Sequence, residues 1–169
     1  MVNKLLNAQL SAVFSQDPSI SLKSWLSTNW TTTTGYSPPA AALVKFDTKF
    51  HSFTGMNLVI IEEMPKTTES QTLGKGRTRV TETKRLQIWC RGSSAKNNRY
   101  LMEKHIDSLI NGNPTGLQSD GIDEMHLDDF TEIPQITDDE INKAQPQRQE
   151  VWRSAAQVRL AYDLYVTSA

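Results

Sequence analysis

The sequence predicts an α+β fold: a mainly antiparallel sheet with a long hairpin, packed by helices on one side. Two stretches carry this prediction. EVWRSAAQVRLAYDLYVTSA, at the C-terminus, alternates apolar or small residues with polar ones, the two-residue period of a half-buried strand. SSAKNNRYLMEKHIDSLINGNP spaces its apolar residues at the helical period. With the remaining elements, the order becomes helix, strand, strand, helix, strand, strand, which is typical of an α+β domain.

Two helices are predicted. The first lies in QDPSISLKSWLSTNW, where Asp17 is a suitable N-cap, Pro18 suits the first helical position, and an apolar stripe follows at Leu22, Trp25 and Leu26. One or two further helical turns are expected before it, around Leu5 to Phe14. The second helix has an apolar face, and it ends where the helix-stopping residues Asn111, Gly112 and Pro114 occur. Its apolar face is formed by Met102, Ile106, Leu109 and Ile110.

The first strands are predicted as a hairpin with a long tip. A short strand over Ala41 to Phe46 follows the polar connector TTTTGYSPP. GMNLVIIEEMP is a strand that Pro65 should end, and RVTETKRLQIWCR is the next strand, with Leu86, Ile88 and Cys90 on one side. Residues 66–78, KTTESQTLGKGRT, are polar and contain glycine, so they are expected to form an exposed hairpin-tip loop.

The last third of the chain is predicted to complete the sheet. A weaker strand is expected within IDEMHLDDFTEI, followed by a polar insertion over 134–149, in which Thr137 and Glu140 have capping-box spacing. The alternating strand comes last, and residues 1–169 are expected to form a single domain. The core face of that strand is predicted to carry Trp152, Val158, Leu160, Tyr162, Leu164 and Val166.

Composition excludes several classes of function. Hydrophobic residues make up 37% of the 169 residues, charged residues 22%, and the net charge is −1, values ordinary for a globular domain. A nucleic-acid-binding module would show a clustered basic excess with interleaved aromatic residues, which this sequence lacks. No apolar run approaches the roughly 20 residues of a membrane span, and a secretory signal is not expected. Cys90, the one cysteine, is interpreted as a buried core thiol.

A search for catalytic or ligand-binding patterns gives only weak candidates. DGIDEMHLDD brings together carboxylates and a histidine, but without an established ligand spacing, so an acidic, solvated strand edge is the favoured interpretation. A small metal-dependent enzyme using Asp123, His126, Asp128 and Asp129 remains a remote alternative. The GKG at residues 74–76 matches neither phosphate-binding glycine motif. No catalytic, metal or cofactor site is therefore predicted, and His105 is expected to be a structural residue.

Basic residues on the hairpin are the more useful signal. Lys75, Arg77, Arg79, Lys84 and Arg85 form a local cluster that either is simply solvated or contacts phosphates or an acidic protein surface. The odd-numbered face of the last strand is a second candidate contact surface. The residues predicted to lie in a protein interface are Lys75, Arg77, Arg79, Arg153, Arg159, Asp163 and Tyr165.

The element order resembles that of the tail-terminator, or tail-completion (neck), proteins of long-tailed bacterial or archaeal viruses. The resemblance lies in TETKRLQIWCRG, a strand leading into the helix NRYLMEKHIDSLIN, and in VWRSAAQVRLAYDLYV as the closing strand. It covers roughly residues 17–166 and is one of pattern, so no signature residue is carried over. The loop 66–78 and the insertion 134–149 are longer than in the shortest members of that family.

The resemblance implies a virion structural protein and no enzyme. Its copies would form a ring, hexameric in the family, that caps the tail tube and joins it to the head. The implied partners are further copies of the chain, the tail tube protein and the head–tail connector or neck protein, in the virion tail and, during assembly, the host cytoplasm. DNA would pass through the ring lumen without specific binding. The alternatives are a neck adaptor between portal and tail and a minor tail protein.

Overall fold

The computed structural model describes residues 17–49, 56–74, 76–137 and 150–165. The helical turns expected around Leu5 to Phe14, Lys75, most of the 134–149 insertion, the side chain of Tyr165 and Val166 lie outside what the structure describes. The fold is α+β, as the sequence predicts. The helices are α1 (Pro18–Asn29) and α2 (Ala95–Gly112), and the strands are β1 (Val44–Asp47), β2 (Asn57–Gly74), β3 (Arg77–Arg91), β4 (Glu124–Leu127), β5 (Thr131–Thr137) and β6 (Glu150–Tyr165).

One sheet contains the six described strands, in the order β1-β2-β3-β6-β4, with β5 also paired to β6. The pair β1–β2 is parallel and every other pair is antiparallel. Strands β4 and β5 share one side of β6: β4 pairs with residues 158–161 and β5 with residues 150–155. The predicted weak strand after α2 is therefore two strands, and β5 extends into the region predicted as a polar insertion.

The central pair β3–β6 runs without interruption from Arg77↔Tyr165 to Arg91↔Val151. Because side chains alternate along a strand, this register places the even-numbered residues of both strands on one face and the odd-numbered residues on the other. Both helices cover the even face, which we call the inner face. Its buried sheet residues belong to one core with Leu22 and Leu26 of α1 and Met102, Ile106, Leu109 and Ile110 of α2.

Helix α1 begins and helix α2 ends as predicted. Asp17 caps α1, with Oδ1 accepting a hydrogen bond of 2.8 Å from the Ser19 amide, and Pro18 occupies the first turn. Helix α2 ends at Gly112, where the Asn113 amide bonds the Ile110 carbonyl at 3.2 Å. None of the helices in the described part of the chain is long and apolar enough to cross a membrane.

The predicted hairpin-tip loop is wrong, because residues 66–74 continue β2 and residues 77 and 78 begin β3. Gly74 pairs with Arg77, so only two residues turn the chain, and Gly76 takes a φ of 73° that glycine adopts without strain. Pro65 does not end the strand. Four residues, 64–67, lie between the pairs Glu63↔Lys84 and Thr68↔Glu82, opposite Thr83 alone, and such a bulge on an edge strand tolerates proline.

We call residues 68–82 the arm. In its β2 strand the consecutive residues Glu69, Ser70, Gln71 and Thr72 are all exposed. Since neighbours in a strand point to opposite faces, neither face of this strand is covered there.

A buried histidine anchors the connector between α1 and β1. The His105 side chain is 1% exposed; Nε2 donates to the Trp30 carbonyl at 2.7 Å, and Nδ1 accepts from the Thr34 hydroxyl at 2.6 Å. The ring meets Trp30 edge-on, with centroids 4.8 Å apart. These two bonds suit the neutral ring, and burial holds the pKa of His105 below its ordinary value, although the bond to Trp30 works in the opposite direction. His105 is structural, as predicted.

His105→Phe should destabilise the protein at pH 7.5 by about 1–3 kcal/mol, because two buried polar groups lose their partners. The penalty should shrink as the pH falls below about 6.5, where the unfolded chain gains a proton on histidine that the folded protein does not take up. Denaturant unfolding at several pH values measures this. Thr34→Val keeps the histidine and should keep the pH dependence. A penalty for His105→Phe that is constant from pH 7.5 to 5 would contradict the assignment.

Candidate functional site

The residues predicted to form an interface lie mainly on the sheet face opposite the helices, which we call the outer face. Arg77 and Arg79 of β3 and Arg153, Arg159 and Asp163 of β6 are all odd-numbered, so the register places them together. Tyr165 pairs with Arg77 through the backbone. The contacts on this face form three groups, which follow one another from the arm to the opposite end of the sheet.

The first group, which includes Arg77 and Arg79 of the arm, is centred on Asp163. This carboxylate is buried and accepts hydrogen bonds from Arg77 and, at 3.1 Å, from Arg79. Arg79 also donates to Asp123 at 2.7 Å and lies 3.7 Å from Glu124. Burial alone would raise the pKa of Asp163, but the two guanidinium groups hold it below its usual range. Arg77 and Arg79 are therefore neutralised within the chain, and Asp163, predicted to face a neighbour, is instead buried between them.

The second group lies at the middle of β6. Arg159 donates to Asp128 at 2.8 Å, and His126 Nε2 is 3.3 Å from the same carboxylate oxygen. Glu124 and His126 are exposed while Met125 and Leu127 are buried, so β4 is a charged edge strand, as predicted from DGIDEMHLDD. In the described residues, no three His, Cys, Asp or Glu side chains are arranged to hold a metal ion.

The third group lies at the end of the sheet away from the arm. The Arg153 guanidinium stacks on Trp89, 4.9 Å from the ring centroid, and Trp89 Nε1 donates to Gln87 at 3.0 Å. Gln87 in turn contacts Glu62. Beneath these side chains, a small apolar cluster of Leu58, Ile60 and Val151 is buried. Arg153 is thus held in place by cation–π stacking.

Two shallow, open depressions occur on the β4–β5 side of this face. One, of about 500 Å³, is lined by residues that include Thr81, Glu124, His126 and Arg159. The other, of about 380 Å³, lies at the break between β4 and β5 and is lined by residues that include Arg85, Asp128, Asp129 and Gln157. Their charged residues include Arg159 and Asp128, which already pair with each other. A small-molecule site is usually an enclosed, largely apolar pocket with a few converging polar groups, and neither depression has that form.

A buried ionic cluster at the root of the arm was missed by the sequence analysis. Lys84, predicted to be part of a solvated or surface-contacting basic cluster, is 1% exposed and lies on the inner face. Its Nζ is 3.0 Å from Glu63 and 3.3 Å from Asp17, the N-cap of α1. The two-residue strand period could have identified Lys84 as an inner-face residue, since it is even-numbered like Leu86, Ile88 and Cys90. It was assigned to an exposed cluster because basic residues usually stay exposed.

Lys84 has more negative charge around it than it can neutralise. Glu82 lies on the same face, and its Oε2 is buried without a hydrogen-bond partner among the described residues. Burial raises the pKa of Glu82; Lys84 opposes this, and the carboxylates of Asp17 and Glu63 reinforce it. Burial would lower the pKa of Lys84, but its carboxylate neighbours raise it. Burial and the neighbouring Glu82 likewise raise the pKa of Tyr162 to about 12.

Cys90 is buried, as predicted, with Sγ 3.6 Å from the Met102 sulfur. Burial raises the pKa of its thiol to about 12, which makes it unreactive near neutral pH.

Comparison with known proteins gives no assignment: no protein-family model matches the chain, and no curated protein matches it.

Asp163→Asn should destabilise the protein by about 1–3 kcal/mol at neutral pH, because two guanidinium groups lose a charged acceptor. The lowered pKa of Asp163 means that its contribution is present above about pH 3.9 and is lost as the pH falls through the folded-state pKa. The penalty should therefore disappear in strong acid. Asp123→Asn is the matched control; it removes only a half-exposed partner of Arg79 and should cost less than about 1 kcal/mol. Equal penalties for the two variants would contradict the central role of Asp163.

Glu82→Gln should stabilise the protein at neutral pH by a few tenths to about 1 kcal/mol. The pKa of Glu82 is raised in the folded protein, so the ionised side chain opposes folding. Stability therefore falls as the pH rises through the folded-state pKa, and a glutamine at this position removes the loss of stability. The gain should vanish below about pH 4, where glutamate is protonated in both states. Glu69→Gln makes the same change at an exposed position on the arm and should change stability by less than about 0.5 kcal/mol. Urea unfolding of both variants tests this, and a destabilised Glu82→Gln would contradict it.

Proposed function

We propose that the protein is a virion structural protein whose copies form a ring, hexameric by the family resemblance, capping a viral tail tube and joining it to the head. The observation that carries the proposal is the arm. Four consecutive residues, Glu69 to Thr72, are exposed on both faces of β2. In the arm, β2 is the outermost of three paired strands, next to β3 and β6. A polar edge strand of this kind adds little to a core, and it is suited to contact another chain.

The outer face supports the same kind of role. Four of its arginines are held by carboxylates of the same chain or stacked on an aromatic ring: Arg77, Arg79, Arg153 and Arg159. Such a surface is preorganised, because its side chains are ordered before a partner arrives and lose less entropy on binding. It also presents both signs of charge, which favours orientation of a protein partner and gives no continuous basic path for DNA. By the family resemblance, DNA would pass through the ring lumen without specific binding.

The direct test is electron microscopy of tails assembled with and without this chain. Without it, we expect overlong tubes that lack heads, because nothing ends polymerisation of the tube. Tails of normal length without heads would instead place the protein as a neck adaptor. Complete, infectious particles without the chain would overturn the proposal.

A variant with a shortened arm tests whether the arm makes the contact with other chains. Residues 71–74 and 77–79 can be removed together, since Ser70 pairs with Val80 and the two-residue turn can close there. We expect the variant to fold, by circular dichroism, and to fail in capping or joining. Asp163→Asn is the matched control: it loses the charged contacts of Asp163 with Arg77 and Arg79 but keeps the arm, and it should assemble. Normal assembly by the short-arm variant would show that the arm is not the contact.

A further inference from the structure

Most described edges of the sheet carry features that prevent pairing with another strand. Strand β4 is only four residues long and exposes Glu124. Strand β5 contains Pro134, and its pairing with β6 is interrupted between Ile133 and Ile136. Short strands, charges, prolines and bulges are the usual protection of a sheet edge. Strands β4 and β5 are therefore closed to a regular incoming strand, and on this side β6 lacks a described neighbour for four residues, 162–165, at its end.

The opposite side of the sheet is protected over only part of its length. Strand β1 covers β2 from Asn57 to Ile60 and is itself four residues long. Beyond it, the bulge of residues 64–67 contains Pro65 and interrupts the register with β3. Both features discourage pairing up to residue 67.

The segment Thr68–Gly74 has no such protection. It pairs with β3 on one side, and no described strand lies on its other side. Its sequence, TESQTLG, contains no proline and one charge, at Glu69, and its threonines favour extended backbone. Edge strands left open in this way expose a row of unpaired backbone donors and acceptors, which a further strand can satisfy.

We propose that this segment pairs antiparallel with the same segment of a second copy of the chain, about a two-fold axis at Gln71. The register that uses all seven residues places Gln71 opposite Gln71 and Ser70 opposite Thr72. Glu69 then lies opposite Leu73, so the two glutamates are separated and no like charges face each other. The arm is thus complementary to itself, whereas the other described edges are blocked or are open over no more than four residues.

The contact stands independently of the proposed function. A two-fold contact closes on two copies, so it is separate from the head-to-tail contacts of a ring. In this dimer, the arms of two free subunits cover each other's open edge. Pairing of seven residues makes a small interface, below about 1,200 Å², so the dimer is weak and exchanges readily.

Disulfide trapping tests the register. In an antiparallel pair, residues directly opposite have Cα atoms about 4.5–5.5 Å apart, within reach of a disulfide. Gln71→Cys should therefore give a covalent dimer under mild oxidation, and buried Cys90 should not compete. Glu69→Cys is the matched control, because it is equally exposed on the same strand but lies about 13 Å from its counterpart, four residues away. Ser70→Cys and Thr72→Cys should cross-link when mixed, and each much less alone.

A second measurement needs no cysteine. Sedimentation at high protein concentration should show a reversible dimer, and the double variant Ser70→Lys, Thr72→Lys should be monomeric because it places lysines opposite lysines. Both positions are exposed, so the variant should fold, and circular dichroism checks this. Equal cross-linking of Glu69→Cys and Gln71→Cys, or a native protein that stays monomeric at high concentration, would overturn the proposal.

Discussion

Pairing of β3 with β6 is the interaction on which the rest of the structure depends. The ladder runs through every residue of β3 without a bulge, so it fixes which side chains lie on the inner and the outer face along its whole length. A shift of one residue between the two strands would place Val158 on the face opposite to Leu86 and Ile88. The helices pack on the apolar part of the inner face that this register assembles.

Two ionic clusters connect β3 to its neighbours in and next to the arm, one on each face of the sheet. Lys84 on the inner face connects β3 to β2 and to the N-cap of α1, while Asp163 on the outer face connects β6 to β3. Burying charge is costly, and here each buried charge has partners of opposite sign. Glu82 is less well compensated: its Oε2 has no hydrogen-bond partner among the described residues, and its raised pKa marks a cluster with an excess of carboxylates. These contacts make the arm a continuation of the sheet instead of a loose loop.

In contacts with another protein, the side chains of the outer face and the backbone of the arm would have different roles. On the outer face, Arg77, Arg79, Arg153 and Arg159 already have partners within the chain, so a partner protein meets an ordered surface of mixed charge. Along the arm, by contrast, the available groups belong to the backbone edge of β2. An edge of this kind binds an extended strand of suitable shape and gains its selectivity from register and from residues placed opposite each other. That division is consistent with a structural role, in which geometry matters more than chemistry at any one side chain.

The sequence by itself determined the features that depend on near neighbours. Asp17 and Pro18 start α1, the apolar stripe of α2 defines its buried face, and alternation in β6 and around Cys90 gives the inner face, since helical and strand periods are local properties. Only the tertiary structure decided the rest. Residues 66–78 have the composition of a loop, yet pairing along β3 makes them strand. Lys84 is buried because Glu63 and Asp17 converge on it. Asp163 is buried because Arg77 and Arg79, some 85 residues away in the chain, lie beside it. Such contacts depend on which strands meet and in what register, and no local pattern encodes that.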